Sequence, residues 1–226
     1  MAGAAFFDLD RTLISRSSSL SLAPAFHRRG LLRRRERTKA LLAQFVFMRY
    51  GAGTSRVGQT AESAMAFLKG VPVEVMREIV QEAVDSAFKP HVYRDALDLV
   101  ARHRERGERS FIVSAALQEI VDALVGELGL DGGVGSTAEV EDGAYTGRLG
   151  RRLDGPAKAA ALVELADAED IDLTESTAYS DSASDVPFLE AVGQAVAVNP
   201  DRRLRAIAAD RGWRVLRFSV KAFPTP

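Results

Sequence analysis

The sequence predicts an α/β fold: a mostly parallel sheet wrapped by helices and interrupted after its first strand by an all-helical segment. Two observations carry this. Short apolar runs with polar tips recur along the chain, and helical patterns separate most of them, as parallel strands with crossover helices require. From about Ser15 to Phe88, by contrast, the periodicity is helical and no convincing strand is present.

Residues Ala4 to Asp8 form the first strand, an apolar run that ends in a carboxylate. Further strands are expected at Ser110–Ser114, Thr177–Asp181, Ala195–Asn199 and Trp213–Arg217. Within the insertion, Leu41, Leu42, Phe45, Val46 and Met48 mark one amphipathic helix, Met65, Phe67 and Leu68 a second, and Val75, Ile79 and Val84 a third. Gly51 to Gly53 and Gly70-Val71-Pro72 break them. A helix through Leu97, Leu99 and Val100 then leads to Gly107 and back into the sheet. Between Val134 and Leu149, the turn signal Glu141-Asp142-Gly143 predicts a β-hairpin. The insertion thus divides the chain into a core of residues 1–15 and 89–226 and a helical segment of residues 16–88.

At 226 residues and 46% hydrophobic, the chain is long enough to bury a core without staples. It has no cysteine, which excludes disulfides and thiolate zinc sites and makes a reducing cytoplasm the simplest compartment. The three histidines suggest no metal cluster. Thirty basic and 31 acidic side chains leave a formal charge of -1, so no global field directs the chain to nucleic acid or an acidic membrane. The N-terminus lacks the basic and apolar stretches of a signal peptide. No apolar stretch approaches the ~20 residues of a membrane span.

The chemistry-bearing residues lie at strand tips, where open α/β sheets bind ligands. Asp8 and Asp10 stand two residues apart where the first strand ends. Taken alone, Asp-x-Asp-x-Thr is weak, because a second copy occurs at Asp170, Asp172 and Thr174; that copy follows a polar helix end and reads as a solvated linker. Ser114 ends another strand and precedes a helical run, so it reads either as a holder of an anionic oxygen or as a helix N-cap. Lys158 follows Gly155-Pro156 on the opening turn of a helix from Ala157 to Ala166, beside the positive end of the helix dipole. That unfavourable position suggests a bound anion; a solvated lysine is the alternative. A last tip carries Asp181 and Asp185, the latter also suited to the first turn of a helix. Together Asp8, Asp10 and Asp181 would repel one another unless a hard cation lay among them, and Mg2+ suits oxygen ligands best.

These four elements, Asp8-Leu9-Asp10-Arg11-Thr12, Ser114, Lys158 and Asp181 through Asp185, occur in the order expected of the haloacid dehalogenase-like superfamily. More narrowly, the chain resembles its phosphoserine phosphatase-like branch, subfamily IB, which has a Rossmann-like core and a helical cap inserted after the first motif. The resemblance extends to Asp142 through Gly147 and Val196 through Asp201. It implies a Mg2+-dependent phosphomonoester hydrolase acting on a small phosphorylated metabolite. Asp8 would be the nucleophile and Asp10 the general acid and base. Thr12, Ser114 and Lys158 would hold the phosphate, and the metal would contact Asp8, the Asp10 carbonyl and Asp181, with Asp185 in support. A phosphotransferase using the same aspartyl-phosphate and a non-catalytic binding module on the same fold are the rival readings.

Phosphoserine phosphatases carry a glutamate shortly after the first motif for the substrate amine, and the stretch Leu13 to Leu20 here has no acid. L-phosphoserine is therefore a doubtful substrate unless a cap acid such as Glu62 replaces it. The basic run Arg28 to Lys39 reads as a solvated helix face, or else as an attraction for polyanions or an acidic membrane surface. The sequence assigns no oligomeric state.

Overall fold

The computed structural model describes residues 2–31 and 65–223, without the Phe67 side chain. Elements are numbered within those residues. Six parallel strands form one sheet: β1 (Ala4–Phe7), β2 (Arg109–Leu117), β3 (Gly132–Ser136), β6 (Thr177–Ser180), β7 (Gln194–Val198) and β8 (Arg214–Leu216), in the order β3-β2-β1-β6-β7-β8. The expected parallel α/β core is therefore present. The order reverses beside β1, so the chain leaves β1 toward β2 on one side and returns as β6 on the other. Loops diverge at that switch point, opening a crevice at the strand C-termini.

Strand β1 shows why the sheet is central. All four residues are buried, and their side chains alternate between two apolar layers. Ala5 and Phe7 join the layer beneath helices α4 (Arg94–Glu105) and α5 (Gln118–Leu128). Ala4 and Phe6 join the layer beneath α6 (Pro156–Ala168), α7 (Val186–Glu190) and α8 (Arg202–Arg211). Phe7 stacks on Tyr179 with centroids 4.5 Å apart, and Phe6 on Phe111 at 5.7 Å.

Between β1 and β2 every described regular element is helical: α1 (Ser18–Ser21), α2 (Ala23–Arg28), a 3-10 turn at Ala66–Leu68 and α3 (Val73–Ala83). A π-turn (Val84–Phe88) and a 3-10 turn (Lys89–His91) carry the helical character three residues past the expected end at Phe88. Helix α3 buries Met76, Ile79, Val80 and Ala83; Val75, expected on that face, is only partly buried. The expected helix at Leu41 to Met48, and Arg33 to Lys39 and Glu62, lie outside the described residues.

The hairpin forms as read from the sequence, with β4 (Ala138–Glu141) antiparallel to β5 (Ala144–Leu149). Asp142 and Gly143, at φ 49° and 77°, make the mirror-image turn that such hairpins favour. Strand β3 went unrecognised because its sequence, Gly132-Gly133-Val134-Gly135-Ser136, looks like a loop. Its glycines are steric: a Cβ on Gly133 would lie 2.6 Å from Val121 Cγ1, and one on Gly135 2.8 Å from the Ala116 carbonyl. Helix α5 packs too closely on this strand for side chains there. The second Asp-x-Asp-x-Thr copy is not a plain linker: Asp172 accepts bonds from the Thr174 N–H (2.8 Å) and hydroxyl (2.6 Å), capping a 3-10 turn. Among the described residues no helix is long and apolar enough to cross a membrane.

Candidate active site

The loop after β1 wraps around one carbonyl. Leu9 O accepts the N–H groups of Thr12, Leu13 and Ile14 at 3.3, 3.0 and 3.1 Å, and Arg11 adopts φ 62° to permit it. The wrap leaves Asp8 at the mouth of the crevice, its own N–H donating to Tyr179 O across the switch point (2.9 Å). Asp8 is 7% exposed, and Asp181, at the tip of β6, is 6% exposed.

Lys158 explains its odd position on α6. It is 2% exposed, and its ammonium donates to Asp8 Oδ1 at 2.5 Å and to Asp185 Oδ2 at 2.6 Å, 4.9 Å from the centre of the Phe188 ring. The carboxylates outweigh the helix-dipole penalty. Burial alone would pull the Lys158 ammonium down, but Asp185 and Asp8 hold it above its ordinary range. Asp185 Oδ2 also accepts the Ser180 hydroxyl at 2.7 Å, so Asp185 fixes the lysine from below.

Burial raises the Asp8 carboxyl to about 7 against the pull of Lys158, with the charges of Asp185 and Asp10 adding to the rise. Burial, and after it the charge of Asp8, holds Asp181 well above the carboxylate range, while Arg11, 3.6 Å away, opposes. Asp10 points toward the insertion, where Oδ1 accepts the Ser18 N–H at 2.8 Å. Burial raises its carboxyl, and the Ser18 N–H lowers it. Sequence reasoning missed Ser18, because its role depends on the loop doubling back.

Ser114 lies on β2, next to β1 in the sheet, and Thr12 in the loop after β1. Ser114 is buried, but it neither ends β2 nor caps a helix: the strand runs on to Leu117 through a register shift, and the Ser114 hydroxyl accepts the Ala116 N–H at 3.1 Å. The irregularity bends the strand tip locally. Thr12 is fully buried and its hydroxyl has no protein partner among the described residues. Such an orphan calls for a ligand oxygen or water. Asp201 ends the stretch Val196 through Asp201 that carries part of the resemblance. It caps α8 through Leu204 N–H (2.8 Å) and accepts Ala183 N–H (3.0 Å), while its own N–H donates to Asp181 O (2.8 Å). An Asp before a helical run is a legible N-cap; its grip on the Asp181 loop is not.

No group of three or more His, Cys, Asp or Glu side chains among the described residues forms a ready-made metal cage. The donors are instead all hard oxygens, two of them the buried carboxylates of Asp8 and Asp181, and the charge of Asp8 raises the affinity of Asp181 for protons. A divalent cation with retained waters fits Asp8, Asp181 and the Asp10 carbonyl.

Residues 5–190 match the family model described as haloacid dehalogenase-like hydrolase. A Mycobacterium tuberculosis protein named as a probable phosphatase is 42% identical over 216 residues, covering 96% of this chain and 75% of its own. A phosphoserine phosphatase of the same organism is 36% identical over 222 residues, 97% and 72% of the two chains. A histidinol-phosphatase of Neisseria meningitidis is 30% identical over 224 residues, 96% and 100%. A solved protein of unknown function from Bordetella pertussis superposes with a TM-score of 0.83 at 27% identity, covering 96% of this chain and 98% of that one. A phosphoserine phosphatase solved as a phospho-aspartyl intermediate analogue gives 0.68 at 19% identity, over 96% and 93%, a likeness of fold. The chain belongs to the haloacid dehalogenase-like hydrolase family, as an enzyme of its phosphatase type.

Proposed function

We propose that the chain is a Mg2+-dependent phosphomonoester hydrolase for a small cytoplasmic metabolite, working through an aspartyl-phosphate on Asp8. The observation that carries this is the buried Asp8–Lys158–Asp185 array at the switch point, with Asp10 held two residues away by Ser18. Asp8 Oδ2 is the free oxygen of the nucleophile, since Oδ1 is held by Lys158. It forms the new bond to phosphorus as the bond to the ester oxygen breaks, and the departing oxygen takes the Asp10 proton. Asp10, now a carboxylate, removes a proton from water as that water attacks the same phosphorus, releasing phosphate and restoring Asp8. Lys158 and the hydroxyls of Ser114 and Thr12 hold the equatorial oxygens. When bound by Asp8, Asp181 and the Asp10 carbonyl, Mg2+ supplies charge neutralisation and orients the phosphate.

Residues 1–15 and 89–226 act in this reading as the catalytic core and 16–88 as a cap over the crevice. The relatives' names span phosphoserine and histidinol phosphate. The missing acid between Leu13 and Leu20 argues against L-phosphoserine for this chain. Hydrolysis of p-nitrophenyl phosphate that stops in excess chelator and returns with Mg2+, with unchanged circular dichroism, is the expected result. Full activity in chelator would overturn the reading.

A further inference from the structure

Three backbone segments far apart in sequence meet at the open edge of the site. Tyr93 N–H donates to Leu13 O (2.9 Å) and Ser15 N–H to His91 O (2.8 Å), while Ala222 N–H donates to Val92 O (2.9 Å). Antiparallel bridges join Ile14 to Val92 and Tyr93 to Lys221. This ribbon gathers Arg16, His91 and Lys221. Lys221 and His91 are partly buried and Arg16 is exposed; the Lys221 ammonium sits 3.8 Å from the centre of the Tyr93 ring.

The cluster is one-sided in charge. Neither Arg16, His91 nor Lys221 has a carboxylate within ion-pair distance among the described residues. The charge of Asp95 favours the Lys221 ammonium, but the Asp95 carboxylate already accepts the N–H groups of Ser219 (2.9 Å) and Val220 (3.0 Å). Burial lowers the affinity of His91 and of Lys221 for protons, and Arg16 lowers both further. Three cationic or donor groups held together with no ion-paired acid among the described residues are a cost to the free protein that a bound anion would reduce.

Position says which anion. Arg16 lies two residues before Ser18, whose N–H holds Asp10, the general acid of the proposed mechanism. The Tyr93 hydroxyl, beneath Lys221, is raised by burial and, further, by the charge of Asp181. In the reading proposed above, the alcohol portion of a phosphate ester held by Asp8 and Lys158 would leave past Asp10, beside the segment that carries Arg16.

We propose that Arg16, His91 and Lys221 form a subsite for a second anionic group, a carboxylate or phosphate, on the leaving-group portion of the substrate. This rests on the phosphatase reading, and the test separates the two. Equilibrium binding is measured by calorimetry with the Asp8→Asn protein in Mg2+, comparing 3-phosphoglycerate with glycerol 3-phosphate, which differ only in carboxylate against hydroxymethyl. Propane-1,3-diol bisphosphate against 3-hydroxypropyl phosphate forms a second arm, for a distal phosphate. At least one arm should show the dianionic-bodied ligand binding about tenfold or more tightly, as a charge-assisted contact warrants. Adding Arg16→Gln or Lys221→Met should remove most of that preference, Arg16→Lys should keep part of it, and added salt should weaken it. Equal affinities in both arms, or a preference that survives both Arg16→Gln and Lys221→Met, would overturn the subsite. A preference that behaves as expected in a wild-type protein unable to hydrolyse p-nitrophenyl phosphate would instead overturn the phosphatase reading and leave the anion site standing.

Discussion

Removing the acid proton of Asp10 should slow the first chemical step in proportion to how badly the leaving group needs that proton. The variant of choice is Asp10→Asn. Asp10 Oδ1 accepts the Ser18 N–H at 2.8 Å, and an amide oxygen can keep that bond. Alanine would leave the buried N–H unpaired at a cost of about 1–3 kcal/mol, confusing misfolding with lost chemistry. A positioned general acid contributes ~10²–10⁴-fold when an alkoxide must leave. That is about 3–5 kcal/mol of barrier. Nitrophenolate leaves with little help, so its phosphorylation step should lose far less. The second step loses its base whatever the leaving group, and steady-state turnover should fall for both substrates. Rapid-quench measurement of the nitrophenol burst, beside phosphoenzyme formation from an alkyl phosphate, separates the steps. An equal loss in phosphorylation rate with both leaving groups, with Mg2+ binding unchanged, would refute Asp10 as the acid.

L-phosphoserine should be hydrolysed with a kcat/KM about tenfold below that of 3-phosphonooxypropanoate, its amine-free analogue, because the ammonium meets no acid between Leu13 and Leu20. A higher value for phosphoserine would show that the cap supplies the missing partner. Asp201→Ala should lower unfolding stability by about 1–2 kcal/mol through loss of the α8 cap. It should also raise the Mg2+ concentration needed for half-maximal activity, since the Asp181 loop loses its anchor at Ala183. An unchanged Tm would show that the cap bond adds nothing, and an unchanged Mg2+ requirement that the loop holds itself.

How much of this the sequence foretold depends on whether the signal was local. Asp8 and Asp181 were legible because each ends an apolar run, and a carboxylate at the tip of a buried strand has few structural uses. Lys158 was legible as an oddity on a helix N-terminus, and its burial between Asp8 and Asp185 resolves that oddity. Strand β3 was not legible, since close packing of α5 selects glycine where strand propensity would select branched residues. The extension of β2 past Ser114 escaped because its register shift is set by pairing with β3. The links from His103 to the Tyr179 hydroxyl (2.7 Å) and from the Asn199 amide to Phe218 O (3.1 Å) join residues 76 and 19 positions apart, and no short-range pattern announces them. The same holds for the meeting of Arg16, His91 and Lys221.

The central claim is that the phosphoryl group passes through Asp8. Wild-type protein mixed with substrate and Mg2+, quenched in acid within the first turnover and digested, should yield a peptide containing Asp8 with the added mass of one phosphoryl group. Asp8→Asn protein with native circular dichroism should yield no such peptide and release no phosphate above background. Phosphoryl mass on a different residue, or phosphate release by the Asp8→Asn protein at a rate near wild type, would contradict the account.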